Sequence, residues 1–169
     1  MILTRDVILR EIENGRIVID PLVPDQIGPA SIDLHLGDEI RVMEGGPEVI
    51  DVTEDADYRT VTQVRQLNGP YFLKPGETIH GITRERIHLP GDIGGWLEGR
   101  SRFARLGLMV HVTSGFITPG VDNRQVLEMA NVAGRPLAIH PGTRLCQLVL
   151  QRAEGSAVYQ GRFAQQDRL

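Results

Sequence analysis

Three arginines and a serine fall within six residues of this sequence, at residues 100–105. If the segment turns helically, Ser101 and Arg105 share one face, and the amides of the first turn remain free to donate hydrogen bonds. Guanidinium groups and free amides suit phosphate, because both donate strong hydrogen bonds to its oxygens. The segment is therefore either an anion site or a solvated basic turn that pairs with nearby acids such as Glu98.

A carboxylate, Glu128, interrupts the apolar part of the run at residues 125–131. Strict strand alternation puts Glu128 on the same face as Val126 and Ala130, and that face is either open to solvent or the wall of a cleft. In a cleft, loss of water would favour the protonated carboxyl and let Glu128 accept and donate protons near neutral pH. Glu128 is therefore a candidate general base and acid.

The stretch between these two features, residues 109–120, contains the small residues Ser114 and Gly115. Small side chains let a flat ligand approach the backbone, whose amide and carbonyl groups can hydrogen-bond to the edge of a base. His111 lies in the same stretch. A lone histidine in an apolar strand is more often structural than catalytic, and we assign His111 that role.

The elements that must position these residues are mostly short strands. Thr4 and Gly15 are placed to begin and end one amphipathic helix, and the later runs alternate between apolar and polar residues. Four Pro-Gly pairs, each suited to a type II turn, divide the second half of the chain, at Pro75, Pro90, Pro119 and Pro141. We expect one β-sandwich or barrel domain at residues 1–152, followed by a polar tail at 153–169 that is either disordered or a lid.

Composition restricts the partners of such a domain. A chain of 169 residues with net charge −4 lacks the basic surplus of proteins that bind nucleic-acid backbones, whereas a small anionic ligand needs only a local basic cluster. The single cysteine, Cys146, excludes an intrachain disulfide framework and a multi-cysteine metal site. The first residues match neither a signal peptide nor a membrane span, so we expect a cytoplasmic protein with no membrane partner.

Several motifs, in order, resemble the dCTP deaminases, which belong to the trimeric dUTPase superfamily. GRSRFARLGLMVHVTSGFITPG at residues 99–120 and QVLEMANV at 125–132 carry most of the likeness, and residues 29–37, 141–147 and 159–161 extend it. The resemblance implies a distorted β-barrel or jelly roll of the dUTPase-like type. It also implies a homotrimer with active sites between subunits.

The resemblance assigns roles to individual residues. Glu128 corresponds to the catalytic glutamate, and Ser101 and Arg105 to residues that a neighbouring subunit contributes to the same site. Residues 100–105 correspond to the triphosphate-binding segment, Gln147 to a phosphate-side contact, and residues 159–162 to a closing C-terminal segment. The complete predicted substrate-binding set is Arg100, Ser101, Arg102, Phe103, Ala104, Arg105, Val112, Ser114, Thr118, Val126, Leu127, Glu128, Gln147, Tyr159 and Arg162.

Deamination at C4 of cytosine requires an activated water, proton delivery and stabilisation of a tetrahedral intermediate. Glu128 would move the protons, while Ser101 and Arg105 would hold the water and the developing charge. The zinc-deaminase signature H-x-E with a later P-C-x-x-C is absent, so the reaction would use no protein-bound zinc. We expect Mg²⁺ to be bound through the substrate triphosphate.

Two residues depart from the family pattern. Thr118 stands where the family has an aspartate that, in dUTPases, helps the water that attacks the α-phosphate, and Arg102 replaces a serine. The leading hypothesis is deamination of dCTP to dUTP and ammonia. The alternatives are a dUTP pyrophosphatase, a bifunctional deaminase that yields dUMP, and a nucleotide-binding trimer without turnover.

Overall fold

The chain folds mainly into β-strands, as the alternating runs predict. The computed structural model describes residues 1–169. The helices are α1 (Arg5–Glu13) and the one-turn α2 (Ser101–Ala104). The strands are β1 (Val18–Asp20), β2 (Ile32–Met43), β3 (Thr62–Gln66), β4 (Tyr71–Leu73), β5 (Thr78–His88), β6 (Ile93–Gly99), β7 (Leu108–Met109), β8 (Phe116–Ile117), β9 (Asp122–Asn131), β10 (Leu137–Ile139) and β11 (Arg144–Arg152).

Helix α1 begins directly after Thr4 and ends before Gly15, which takes a left-handed φ of 67°. The Thr4 hydroxyl hydrogen-bonds to the Asp6 carboxylate and does not cap a backbone amide. Ile8 is fully buried, while Val7 and Ile12 pack against the core from the same helix. The short N-terminal helix is therefore confirmed, and its amphipathic face is what attaches it to the sheet.

The main sheet has nine strands, with the central order β7-β9-β5-β2-β11-β6-β8. Strand β2 pairs with β11 through residues 32–35 and with β5 through residues 36–42. Because the first part of β2 pairs with β11 and the later part pairs with β5, the sheet curls and encloses the core. This confirms the predicted mostly β fold. Strands β4 and β10 form a separate two-stranded sheet.

Twenty-seven buried apolar residues form one continuous core. Strand β9 illustrates how alternation builds it. Leu127 and Met129 are fully buried, whereas Val126, Glu128 and Ala130 point to the other face and are partly exposed. The core thus fixes the orientation of Glu128, because turning the strand over would remove two large apolar side chains from the interior.

Three of the four Pro-Gly pairs have the left-handed glycine that a type II turn requires, with φ of 76° at Gly76, 72° at Gly120 and 75° at Gly142. The prediction is wrong for the fourth pair, because Gly91 has no positive φ. A Cβ atom at Gly91 would lie 2.9 Å from the carbonyl oxygen of Ala157. At this position glycine makes room for the C-terminal tail.

The tail at residues 153–169 has no helix or strand and lies along the sheet. Its amides at Ala157 and Tyr159 donate to the carbonyls of Gly91 and Pro119, at 2.8 and 3.2 Å. Farther along, the carbonyl of Gln166 accepts from the amide of Arg124, at 2.9 Å. These bonds lead the tail toward the outer face of β9. No helix of the structure is both long and apolar enough to cross a membrane.

Candidate functional site

A cavity of about 380 Å³ opens on the face of β9 that carries Glu128. Its walls combine polar groups with aromatic side chains, which is typical of small-molecule sites. Fifteen residues line it: Tyr58, His80, Ser114, Phe116, Ile117, Thr118, Val121, Asn123, Arg124, Gln125, Val126, Glu128, Tyr159, Phe163 and Gln166. Glu128 is the single carboxylate among them.

Glu128 lies between two histidines that come from neighbouring segments of the sheet. His80 on β5 is its direct partner across the antiparallel pair. On the other side, β7 pairs Met109 with Ala130, and His111, two residues beyond the end of β7, is close enough for the charge of Glu128 to act on it. Directly opposed side chains in such pairs have Cβ atoms about 4.5–5.5 Å apart. The cleft alternative for Glu128 therefore agrees with its position in the structure.

Both histidines are held in the neutral form. Burial lowers the pKa of His80 and of His111, while the negative charge of Glu128 acts in the opposite direction on each. The Nδ1 atom of His80 and both ring nitrogens of His111 are buried without a hydrogen-bond partner. Such unpaired polar atoms are costly and often mark functional sites.

Five residues of the predicted set line the cavity together: Ser114, Thr118, Val126, Glu128 and Tyr159. They come from the β7–β8 connection, the turn after β8, β9 and the tail. The sequence motifs do not mark three of the polar lining residues, Tyr58, His80 and Arg124. The alternation of β9 gives a signal for Arg124, which shares the face of Glu128, but no local pattern shows that β5 would place His80 beside that face.

The basic segment lies outside this cavity. Arg100 is fixed by an ion pair with Asp33 at 3.0 Å and donates to the carbonyl of Arg144, also at 3.0 Å. Gln147 lies next to it, because its side chain donates to the carbonyl of Gly99 at 3.3 Å. Arg100 and Gln147 thus belong to one polar cluster.

The rest of the segment forms the exposed α2 turn. Arg102 and Arg105 are exposed and make no ion pair, and Glu98 makes none with them. Phe103 is half-buried and packs against the core, whereas Ser101 and Ala104 face outward. The segment is thus a solvated turn in which Arg100 pairs with an acid, Asp33, while Arg102 and Arg105 leave two guanidinium groups free on the surface.

Three further members of the predicted set have other surroundings. The side chain of Leu127 is in the core, on the side of β9 opposite the cavity, so only its backbone is near the site. Val112 is exposed outside the cavity. Arg162 in the tail pairs with Asp57 at 3.1 Å.

The tail closes one side of the cavity through Tyr159, Phe163 and Gln166. The carbonyl of Phe163 accepts from the side-chain amide of Asn123 at 2.7 Å, which ties the tail to β9 close to the cavity. No group of three or more His, Cys, Asp or Glu side chains is arranged to hold a metal ion. The carboxylate, imidazole, hydroxyl and amide side chains that line the cavity can transfer protons and hydrogen-bond with an organic ligand.

Comparison with known proteins points to one family. A family model described as dCTP deaminase-like matches residues 2–153. A protein named "dCTP deaminase, dUMP-forming" from Acidothermus cellulolyticus is 38% identical over 174 residues, covering 96% of this chain and 90% of the relative. A "dCTP deaminase" from Rhodospirillum rubrum is 43% identical over 155 residues, covering 83% of this chain and 77% of the relative.

The fold also matches a solved structure. The crystal structure of 2'-deoxycytidine 5'-triphosphate deaminase from Agrobacterium tumefaciens superposes with a TM-score of 0.68 at 22% identity, over 90% of this chain. The match covers 48% of that protein's chain, so the present chain spans about half its length. At this identity the similarity supports the fold alone.

Proposed function

This chain belongs to the dCTP deaminase-like family, and on that premise we propose that it deaminates dCTP by hydrolysis to dUTP and ammonia. One observation carries the proposal. Glu128 is the only carboxylate lining a cavity of nucleotide-binding size, and it lies between two neutral histidines on a face that the core fixes. The family names of the relatives supply the substrate class.

In the proposed reaction, the oxygen of a water molecule attacks C4 of cytosine. The Glu128 carboxylate accepts a proton from that water and passes it to the ring nitrogen N3, which gives a tetrahedral intermediate. Glu128 then takes the proton of the new hydroxyl and delivers it to the amino group, which leaves as ammonia as the C4 carbonyl forms. Water supplies both protons, so no other reactant is needed.

The anion-binding half of the site would come from a second copy of the chain in a homotrimer. None of residues 100–105 lines the cavity of its own chain, and neither does Gln147, although a triphosphate needs the positive charge of the three arginines. Phe116 lines the cavity and also contacts Trp96 on the adjacent strand, with ring centroids 5.7 Å apart. Both rings are partly exposed, so apolar surface continues from the cavity wall to where a partner would dock.

Within such an assembly, Ser101 and Arg105 of the neighbour would hold the attacking water and the charge that develops on the intermediate. Arg100, Arg102 and the local amides would retain the phosphates. Mg²⁺ would be held by phosphate oxygens, because a cavity with one carboxylate provides no cage of oxygen ligands. The tail, through Tyr159, would cover the bound nucleotide.

A second candidate activity is release of dUMP, since one of these relatives carries the name "dUMP-forming". That reaction needs a group to activate a water for attack on the α-phosphate. Thr118 occupies the family's aspartate position in the cavity wall, and a hydroxyl does not act as a base near neutral pH. We therefore favour dUTP as the product.

The test is to incubate the protein with dCTP or dUTP and Mg²⁺, and to measure ammonia, dUTP, dUMP and diphosphate. Ammonia and dUTP without diphosphate are expected, and diphosphate would establish the second candidate instead. Glu128→Gln, which is nearly isosteric, should lose turnover and still bind nucleotide. Full activity of Glu128→Gln, or binding of dCTP without any product from the wild-type protein, would contradict the proposal.

Subunit complementation tests the shared site. Glu128→Gln and Arg105→Ala should each be inactive alone, because one lacks the proton carrier and the other the neighbour's cation. After equal amounts are unfolded together and refolded, about one quarter of the sites should pair an intact Glu128 with an intact neighbouring Arg105. No recovery of activity in mixed trimers would place both residues in one chain's site.

A further inference from the structure

A row of ionisable side chains crosses three adjacent strands and ends at the cavity. Arg41 on β2 is the direct register partner of His80 on β5, and His80 is the direct partner of Glu128 on β9. Opposed residues in antiparallel pairs project from the same face, so the three side chains are neighbours in the order cation, imidazole, carboxylate. His111, which follows β7 on the other side of β9, is near enough for the charge of Glu128 to act on it.

We propose that His80 is a positioning residue that keeps a neutral group between Arg41 and Glu128, so that Glu128 is able to hold and release a proton. The inference deepens the proposed function, because it concerns regulation of the same carboxyl group. It assigns a task to a residue that neither the motifs nor the family likeness marks.

The surroundings of His80 restrict it to the neutral state near pH 7. The ring of Tyr58 packs edge-on against the His80 ring, with ring centroids 5.3 Å apart. The guanidinium group of Arg41 lies over the Tyr58 ring, 5.6 Å from its centroid. Burial is the largest cause that lowers the pKa of His80, and the positive charge of Arg41 lowers it further. Only Glu128 favours the imidazolium.

These groups are the charged and titratable ones that face His80: Arg41 from β2, Glu128 from β9 and Tyr58 from the turn before β3. The remaining neighbour of Glu128 is His111, whose pKa burial also lowers. At neutral pH the row therefore contains two neutral imidazoles beside Glu128, and the cation of the row, Arg41, is one strand beyond His80.

Protonation of His80 changes the charge next to Glu128, and this change has a consequence for catalysis. Below its pKa, which lies under the ordinary 6.5, His80 becomes an imidazolium next to Glu128. A cation there stabilises the carboxylate, so Glu128 no longer retains the proton that it must carry to the ring nitrogen and the amine. Turnover should fall as the pH drops through the His80 titration, while nucleotide binding, which depends on the remote basic segment, should change less.

The first experiment follows the imidazole signals of the protein by NMR during a pH titration, with His80→Gln used to assign the signal. Glu128→Gln should lower the pKa of His80, because the negative charge that favours the imidazolium is gone. Arg41→Gln should raise it and leave His111 unmoved. Shifts of opposite sign are the signature of the row, and an unchanged His80 pKa in both variants would overturn the inference.

The second experiment compares kcat and KM across pH in two variants. His80→Gln, neutral at every pH, should keep at least about a third of the neutral-pH kcat and lose the acid limb of the kcat profile. His80→Lys should lose turnover at all pH values with KM nearly unchanged. A matched control is His88→Gln, which removes an exposed imidazole from the same strand and should leave the wild-type profile intact.

These experiments distinguish failure of the proposed deaminase function from failure of the proposed role of His80. A wild-type protein that produces no ammonia from dCTP refutes the proposed function, yet the NMR titration still measures the row. A wild-type protein that deaminates dCTP, with an acid limb that persists in His80→Gln, refutes the role of His80 alone. If His80→Lys does not fold, the changes in the His80 pKa that NMR measures in Glu128→Gln and Arg41→Gln still test the inference.

Discussion

Gly120, in the turn before β9, packs against the tail that covers the cavity. Its replacement tests whether this close packing sets the position of the tail. A Cβ atom at Gly120 would lie 2.6 Å from the Cα atom of Val158 and 3.1 Å from the carbonyl oxygen of Ala157. The turn is anchored by the sheet on both sides, whereas the tail is held by a few hydrogen bonds. In Gly120→Ala the tail should therefore move and the turn should stay.

A matched control separates this clash from backbone strain. Gly142 ends the same kind of Pro-Gly turn, with φ of 75° against 72° at Gly120, and no heavy atom lies within 4 Å of a Cβ atom built there. Both alanine variants carry the cost of a left-handed alanine, roughly 1–2 kcal/mol. Only Gly120→Ala adds a collision with the tail.

The expected size of the effect follows from the two nearest tail bonds. The amides of Ala157 and Tyr159 donate to Gly91 and Pro119, at 2.8 and 3.2 Å. Each is worth about 0.5–1.5 kcal/mol net, so losing both favours the open tail by about 1–3 kcal/mol, or roughly 5- to 150-fold. Hydrogen exchange of these two amides measures the change directly.

We expect this loss of protection in Gly120→Ala and not in Gly142→Ala, and the global unfolding free energy should fall by about 1–3 kcal/mol more in Gly120→Ala, because the two tail bonds no longer contribute. Under the proposed function, KM for nucleotide should also rise in Gly120→Ala alone, since Tyr159 would leave the cavity wall. Equal protection of Ala157 and Tyr159 in both variants would show that Gly120 does not set the position of the tail.

Three other perturbations have defined outcomes. Leu127→Ala should lower the free energy of unfolding by about 2–5 kcal/mol in urea titrations, because Leu127 is fully buried. Val126→Ala, on the cavity face, should lower the free energy of unfolding by less and should mainly weaken nucleotide binding. Burial raises the pKa of the Cys146 thiol, so a thiol reagent should label it only as fast as the protein unfolds. Burial, with a hydrogen bond to Glu77, raises the pKa of Tyr71 to about 12. Since the unfolded phenol ionises at about pH 10, the free energy of unfolding should decline between about pH 10 and 12 in the wild type and less in Tyr71→Phe, as measured by urea titrations at each pH.

Local patterns predicted the secondary structure well where alternation and turn residues agree. In β9, alternation alone separates Leu127 from Glu128, because successive side chains must point to opposite faces. The prediction for Gly91 was wrong for a related reason. A glycine can serve a left-handed turn or a close approach of another chain segment, and the sequence letter is the same in both cases.

The candidate site was predicted only in part, for reasons that lie in its construction. Ser114, Thr118, Val126, Glu128 and Tyr159 belong to motifs, and the structure brings them to one cavity. The basic segment is an equally clear motif, yet it lies elsewhere on the chain. Proximity of motifs in sequence does not place their side chains in one pocket of one subunit.

The sequence by itself determined which chemical groups are available, which face of β9 carries the carboxyl group, and to which family the motifs belong. Only the tertiary structure decided that His80 stands beside Glu128 with Arg41 beyond it, and that the tail lies across the cavity. The reason is that strand neighbours and register are selected by the burial of the whole core, through contacts between residues distant in sequence. No local propensity contains that information.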